Sequence, residues 1–273
     1  MLIDLHLHST FSDGTLTPKE LVLRGRALGI SVLALTDHDT TAGLSEFQAT
    51  CKRQGMACAS GIELSAEFPG TLHILGYRID FGDSEMEKTL ARVQTGREER
   101  NSTMIRKLRD LGMDITMEEV QEEAGGDIVG RPHMARVLVK KGYAPDSRAS
   151  FSRFLQKGAP AYTDRFRLSP SECIALIRKA GGVAVLAHPG QTSENIGDLK
   201  RILGRLKEEG LWGLECITPK HRAEQCVVYL SLAAEFSLFP TAGSDFHGLN
   251  SSVSMGISVA DDFLPWARLG VRL

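Results

Sequence analysis

The histidines and carboxylates of this chain are not scattered. Of eight histidines, six (His6, His8, His38, His73, His188 and His247) fall within an apolar, strand-like run or at its end. Asp4, Asp13, Asp37, Asp39, Glu63 and Asp245 accompany them. Imidazole together with carboxylate is the ligand set of borderline and hard divalent ions such as Zn2+, Mn2+ and Fe2+. Gathering so many carboxylates without a cation would be opposed by like-charge repulsion, so a metal cluster is the economical reading. Asp4 and Asp37 fit carboxylates that orient neighbouring imidazoles or cap turns. His73, in Thr71-Leu72-His73-Ile74-Leu75, would alone read as a satisfied core histidine, but its spacing after Glu63 favours a ligand. His221, after Thr218-Pro219, reads as a surface or supporting residue.

These residues need elements that bring distant positions together. Leu2 to His8 alternates, which places Leu5 and Leu7 on one face and Asp4, His6 and His8 on the other. Further apolar runs lie at 32–36, 56–63 and 72–78, and after a gap at 183–187, 211–216 and 239–242, the last three reading as buried parallel strands. Thr17-Pro18-Lys19-Glu20 and Ser169-Pro170-Ser171-Glu172 are helix starts, each with an N-cap, a proline and a closing glutamate. Helices are expected near 170–180, 195–209 and 219–236. Between Ser84 and Gln156 the alternation stops, and helical patterns run over 86–111, 117–124, 132–141 and 147–156. Seven strands alternating with helices, interrupted once, predict a distorted (β/α)7 TIM-like barrel formed by residues 1–83 and 164–273, with a helical insertion or cap at 84–163. A barrel gathers its strand ends on one face, whereas an open sheet would spread the same polar residues along a line.

Composition narrows the function classes. The net charge of −2 argues against indiscriminate adhesion to nucleic acid, yet residues 88–167 carry a net of +5 and the remainder −7. An acidic scaffold suits cations and a basic segment suits an anionic ligand. Five cysteines (Cys51, Cys58, Cys173, Cys216, Cys226) form no CxxC pair and read as reduced core residues. No apolar run approaches the roughly 20 residues of a membrane helix, and Met1-Leu2-Ile3-Asp4 lacks a secretory n-region, so the expected location is cytoplasmic. No obligate protein partner is evident.

Asp4-Leu5-His6-Leu7-His8 followed by Asp13, Thr36-Asp37-His38-Asp39, Gly61-Ile62-Glu63, Ala187-His188-Pro189 and Gly243-Ser244-Asp245-Phe246-His247 resemble, in order, the motifs of the PHP (polymerase and histidinol phosphatase) superfamily of metal-dependent phosphoesterases. The resemblance extends over nearly the whole chain, and with Gly130-Arg131-Pro132-His133 it is similar to the stand-alone subfamily acting on nucleoside 3',5'-bisphosphates and short oligonucleotides. It implies three divalent ions, Mn2+, Fe2+ or Zn2+. His6, His8 and Asp245 would hold one, Glu63 would bridge it to a second on His73 and His188, and Asp13, His38 and His247 would hold the third. A water activated by these ions would attack phosphorus in line, with no protein nucleophile.

The resemblance also implies that Arg131 and His133 contact a substrate phosphate, at a predicted helix start beyond a Gly125-Gly126 turn. The alternative is that they only close that helix N-terminus. Arg148, Lys157, Arg165 and Arg167 are further candidate phosphate contacts, and Tyr162 or Phe166 could stack on a base, while Phe151 and Phe154 fit cap packing. The expected substrate is a nucleotide such as adenosine 3',5'-bisphosphate, losing its 3'-phosphate, with short RNA or DNA oligonucleotides degraded 5' to 3'. Histidinol phosphate is the alternative substrate, and a noncatalytic nucleic-acid-binding PHP module is the alternative class.

Overall fold

The apolar runs become strands β1 (Leu2–Leu7), β2 (Val32–Leu35), β3 (Ala57–Ser65), β4 (His73–Tyr77), β5 (Val183–Leu186), β6 (Gly213–Ile217) and β7 (Phe239–Ala242). They belong to a computed structural model that describes residues 1–124, 129–248 and 253–271. An eighth strand, β8 (Ile257–Ser258), too short to read from periodicity, pairs antiparallel with β1. The sheet runs in the order β7-β6-β5-β4-β3-β2-β1-β8. It nearly closes where the chain beyond β7 returns to β1: Phe246 N–H donates to the His6 carbonyl, and His8 N–H donates to the Phe246 carbonyl at 3.0 Å.

One distortion bears directly on the site. β4 lies antiparallel to both β3 and β5, whereas β1–β2, β2–β3, β5–β6 and β6–β7 are parallel. In the β3–β4 pairing Ser65 stands opposite His73. The first residue of β4, rather than its last, therefore reaches the end of the barrel where Glu63 lies. Strand direction leaves no mark on periodicity, so the sequence pattern could not show it.

β1 corrects the expected alternation. Leu5 packs inside the barrel with Ile3, Val32, Ala34, Leu75, Tyr77 and Val185, whereas Leu7 packs outward with Leu33, Leu35 and Leu21. A shift in the β1–β2 register between Asp4 and Leu7 switches the parity. Such a bulge re-aims side chains. It separates Asp4, which accepts from the backbone N–H groups of Ser244 and Gly256, from His6 and His8.

Helices α1 (Pro18–Ala27), α2 (Leu44–Gln54), α7 (Pro170–Lys179), α9 (Ile196–Glu208) and α10 (Ala223–Glu235) cover the sheet, and α8 (Pro189–Thr192) is a single turn after β5. Thr17 with Glu20 and Ser169 with Glu172 form the two expected reciprocal caps. Leu21, Phe47, Ile174, Leu199, Leu203 and Leu232 close over Leu33, Ile62, Ile74, Leu186 and Leu214. Each such side chain contributes about 1.5–3 kcal/mol when fully buried. No helix among the described residues is long and apolar enough to cross a membrane.

Between β4 and β5 the described residues form α3 (Ser84–Asp110), α4 (Met117–Ala124), α5 (Arg131–Lys140), and α6 (Ser147–Ser150), which continues into one π turn (Phe151–Leu155). The helix expected over 147–156 is thus two kinds of turn, and that expected from 219 starts at Ala223. The Gly125-Gly126 turn lies outside the described residues. Met104, Leu108, Ile115, Val120, Met134, Leu138 and Leu155 form a cluster of their own, while Met86, Leu90 and Val93, early in α3, join the core under the sheet's helices.

Closure against β1 requires a bare backbone at Gly243, where a Cβ would lie 2.7 Å from His6 N. Gly243→Ala is expected to destabilise the fold by about 1–3 kcal/mol, as overpacking does. Urea unfolding of the two proteins checks this, and an unchanged midpoint would show that the seam is loose.

Candidate metal centre and an adjoining arginine pocket

Glu63, at the end of β3, is fully buried and faces five imidazoles. Its Oε1 lies 2.9 Å from His73 Nδ1 and 2.9 Å from His188 Nε2, and its Oε2 lies 3.0 Å from His38 Nδ1 and 3.2 Å from both His6 Nε2 and His8 Nε2. Asp245 Oδ1 stands 3.2 Å from His8 Nε2 and 3.5 Å from His6 Nε2. On the other side of His8, Asp13 Oδ1 is 3.3 Å from His247 Nε2, and Asp13 Oδ2 is 3.9 Å from His38 Nε2. All nine candidate ligands meet, though they come from both halves of the chain.

The donor set fits cations. His6 Nε2, both nitrogens of His8, His38 Nδ1, His188 Nδ1 and Glu63 Oε2 are buried without a hydrogen-bond partner. Leaving such groups unpaired costs about 1–3 kcal/mol each. Three groups have ligand atoms within 4.8 Å of one another: His6, His8, Glu63 and Asp245; His38, Glu63 and His73; and His8, Asp13, His38 and His247. Glu215 Oε1 lies 2.8 Å from His6 Nδ1. A carboxylate accepts, so Nδ1 carries the proton and Nε2 turns its lone pair to the cluster. The Asp245 carbonyl, 2.9 Å from His247 Nδ1, orients that ring likewise toward Asp13.

Charge follows the same geometry. Burial alone would raise the carboxyls of Asp13, Glu63 and Asp245, but the facing imidazoles outweigh it and hold all three well below the usual range. Burial would lower His8, yet Asp245 and Glu63 push it up to about 10, while burial prevails at His38, pushed down to about 3. The backbone is strained here: Asp39, His188 and Asp245 have φ of 54°, 24° and 56°. Each left-handed residue of this kind costs on the order of 1–3 kcal/mol and persists where surrounding contacts impose it.

Asp4 and Asp37 point away from the cluster and hold its supports. Asp4 accepts from the N–H groups of Ser244 and His6, and Asp37 accepts from Ser9 N–H at 2.7 Å and from the Ser9 and Ser12 hydroxyls at 2.6 Å. Two contributors escaped the sequence reading. Glu215 braces His6 and accepts from His188 N–H at 2.7 Å, and Lys220 is ion-paired with Asp245. The signal for Glu215 was one carboxylate inside the apolar strand Leu211–Cys216; Lys220 left none.

A cavity of about 160 Å3 adjoins the cluster, with Asp13, His38 and His73 on one wall and Arg97, Arg100, Arg131, Arg165, Arg167 and Tyr162 on the others. Arg100 is only 6% exposed, and its Nε donates to Asn101 Oδ1. Burial, reinforced by the neighbouring guanidiniums, pushes it down to about 8, and pushes Arg165 to about 10. Asp39 pairs with Arg97 and Arg165, and Asp164 with Arg167, so positive charge remains in excess. Guanidinium forks in such number match phosphate oxygens.

The expected substrate contacts divide accordingly. Arg131, Arg165, Arg167 and Tyr162 line the cavity. Arg148 and Lys157 are exposed and do not line it. His133 is buried and does not line the cavity; its Nδ1 accepts from Gly130 N–H at 3.0 Å at the start of α5, and its Nε2 is buried without a hydrogen-bond partner. Phe166 is stacked under Arg92, 3.9 Å from the ring centroid, and Phe151 and Phe154 pack on the helical cluster. Arg97 and Arg100 were missed because Gly96-Arg97-Glu98-Glu99-Arg100 reads as a solvated helix face. Their i, i+3 spacing was the available signal.

The PHP domain pattern matches residues 4–147. The chain is 34% identical to the 3',5'-nucleoside bisphosphate phosphatase of Chromobacterium violaceum over 90% of its own length and 87% of that protein. It is 32% identical to the 5'-3' exoribonuclease Rnm of Escherichia coli, over its full length and 89% of that protein. A solved Chromobacterium violaceum structure, described as an amidohydrolase with bound sulfate and no metal, superposes with a TM-score of 0.89 at 32% identity, covering 98% of this chain and 95% of that one.

The bond between His133 and Gly130 N–H has a pH signature. Burial depresses His133 from 6.5 to about 4, so the folded state keeps it neutral while the unfolded chain takes up a proton below 6.5. Its contribution is fully present above pH 6.5 and is lost as pH falls toward 4, at roughly 1.4 kcal/mol per unit. Denaturation of wild type and His133→Asn across this window is expected to show the wild-type advantage shrinking. A constant difference would mean that His133 is charged in the folded protein.

Proposed function

Because this chain belongs to the PHP domain family and is a phosphoesterase, we propose that its substrates are nucleotides: it removes the 3'-phosphate of nucleoside 3',5'-bisphosphates and degrades short oligonucleotides from the 5' end. The observation that carries this reading is the arginine cavity opening directly on Asp13, His38 and His73. A substrate with two phosphates has one for the metal centre and one for the guanidiniums. Histidinol phosphate has a single phosphate and a cationic amine, which five arginines would repel.

In this reading, His6, His8, Asp13, His38, Glu63, His73, His188, Asp245 and His247 would together hold three divalent ions. Mn2+, Fe2+ and Zn2+ all suit such ligands. When bound, these ions supply Lewis acidity and lower the pKa of water at the scissile phosphorus. The chain does the positioning. Glu215 fixes the His6 ring, Asp37 holds the loop carrying Asp13, and Asp39 aims Arg97 and Arg165 into the cavity. Arg100 and Arg131 complete the seat for the second phosphate. Residues 84–163 serve as a cap over a barrel of residues 1–83 and 164–273, and the cap brings Arg97, Arg100, Arg131 and Tyr162 to the site.

Parallel assays with adenosine 3',5'-bisphosphate, a 5'-phosphorylated oligonucleotide and histidinol phosphate test the substrate class. The first two are expected to be hydrolysed and the third poorly, and preference for histidinol phosphate overturns the reading. His8→Ala and Asp245→Ala are expected to abolish turnover with unchanged circular dichroism, so near-normal activity in either would remove the cluster from the chemistry. Adding Mn2+ to chelator-treated protein should raise the melting temperature of wild type by more than that of Asp245→Ala, and equal rises would remove Asp245 from the ligand set.

A further inference from the structure

A second cleft lies near Asp245, to which it is linked by Lys220 on its wall. It measures about 750 Å3 and is lined by Lys220, His221, Arg222 and Tyr229, with Glu194 and Glu224 also on its walls. The arginine cavity opens on Asp13, His38 and His73, whereas this cleft reaches Asp245 through the Lys220 ammonium paired with its carboxylate. Gly190, on the wall, lies two residues beyond His188. The His221 ring lies against Tyr229, with centroids 4.6 Å apart, and its Nε2 is buried without a partner. The volume suits a nucleotide-sized ligand. Lys220 and the exposed Arg222 are cations of the kind that meet nucleic-acid phosphates, whereas Tyr229 is buried behind the cleft wall.

The two substrate types proposed above lose the same bond. In a nucleoside 3',5'-bisphosphate, water adds to the 3'-phosphorus, the P–O3' bond breaks, and O3' takes the proton as a hydroxyl. In an oligonucleotide the same bond breaks, but the phosphorus also carries O5' of the next nucleotide and leaves with it as a 5'-phosphate monoester. With the upstream phosphate among the arginines, the downstream strand needs a separate way out. We propose that the cleft beside Lys220 is the downstream subsite, receiving the nucleotide on the 3' side of the scissile phosphate. Lys220 then meets a phosphoryl oxygen and Arg222 the following phosphate.

This inference rests on the nucleotide reading, and two measurements separate their failures. The first compares kcat/KM for a 5'-phosphorylated trinucleotide with that for adenosine 3',5'-bisphosphate in wild type and Arg222→Glu. The ratio is expected to fall at least tenfold in the variant, and an unchanged ratio overturns the downstream subsite. Hydrolysis of the bisphosphate without any cleavage of oligonucleotides by wild type leaves the phosphatase reading and overturns the subsite, whereas hydrolysis of neither overturns both. The second measurement needs no turnover. A 5'-phosphorylated oligonucleotide with 4-thiouridine at its second position is irradiated with chelator-treated wild-type protein. Crosslinks in the peptide spanning Lys220 to Tyr229 are expected, and crosslinks confined to other peptides overturn the assignment.

Discussion

Everything at this site depends on how Glu63 is held. A fully buried carboxylate is tolerated only where positive charge or strong donors surround it, and five imidazoles do so here. They arrive from β1, from the loop after β2, from the first residue of β4 and from the turn after β5. The barrel is the device that makes this possible. No local segment could supply five rings to one carboxylate, and closure of the sheet between β1 and the chain after β7 brings Asp245 and His247 to the same place.

The barrel alone does not aim the groups correctly. The bulge in β1 separates Asp4 from His6 and His8, turning one polar residue toward the support and the other two toward the centre. The reversed β4 places His73 opposite Ser65. Left-handed backbone at Asp39, His188 and Asp245 completes the set. These departures from regular geometry gather around the histidine–carboxylate cluster, where surrounding packing can impose strain.

The legibility of this molecule in its sequence follows from what each signal encodes. Apolar runs bounded by turn residues mark the seven longer strands, and reciprocal caps such as Thr17 with Glu20 mark helix starts, because both are local. The six clustered histidines were readable because histidine is rare enough for its position at strand ends to be informative, and Asp13, Glu63 and Asp245 joined them through the motifs of the resemblance. Direction, parity and partnership are not local. Hence β4 read as one more strand and Leu7 as a partner of Leu5, and Arg97 and Arg100 drew no assignment. Arg131 and His133 sit in one short motif, yet Arg131 faces the cavity and His133 bonds Gly130 N–H. Composition could not separate their roles, because both are cationic-type side chains at one helix start.

Two adjacent residues, His38 and Asp39, serve opposite compartments: the imidazole faces Glu63, and the carboxylate holds Arg97 and Arg165. The carboxylate–imidazole cluster and the arginine cavity are thereby joined through a single peptide unit. Arg131, carried on the helical segment, has no such tie to the cluster and can be exchanged without disturbing it. A change at position 39 would release Arg97 and Arg165 beside His38, whereas a change at Arg131 breaks no ion pair with the cluster.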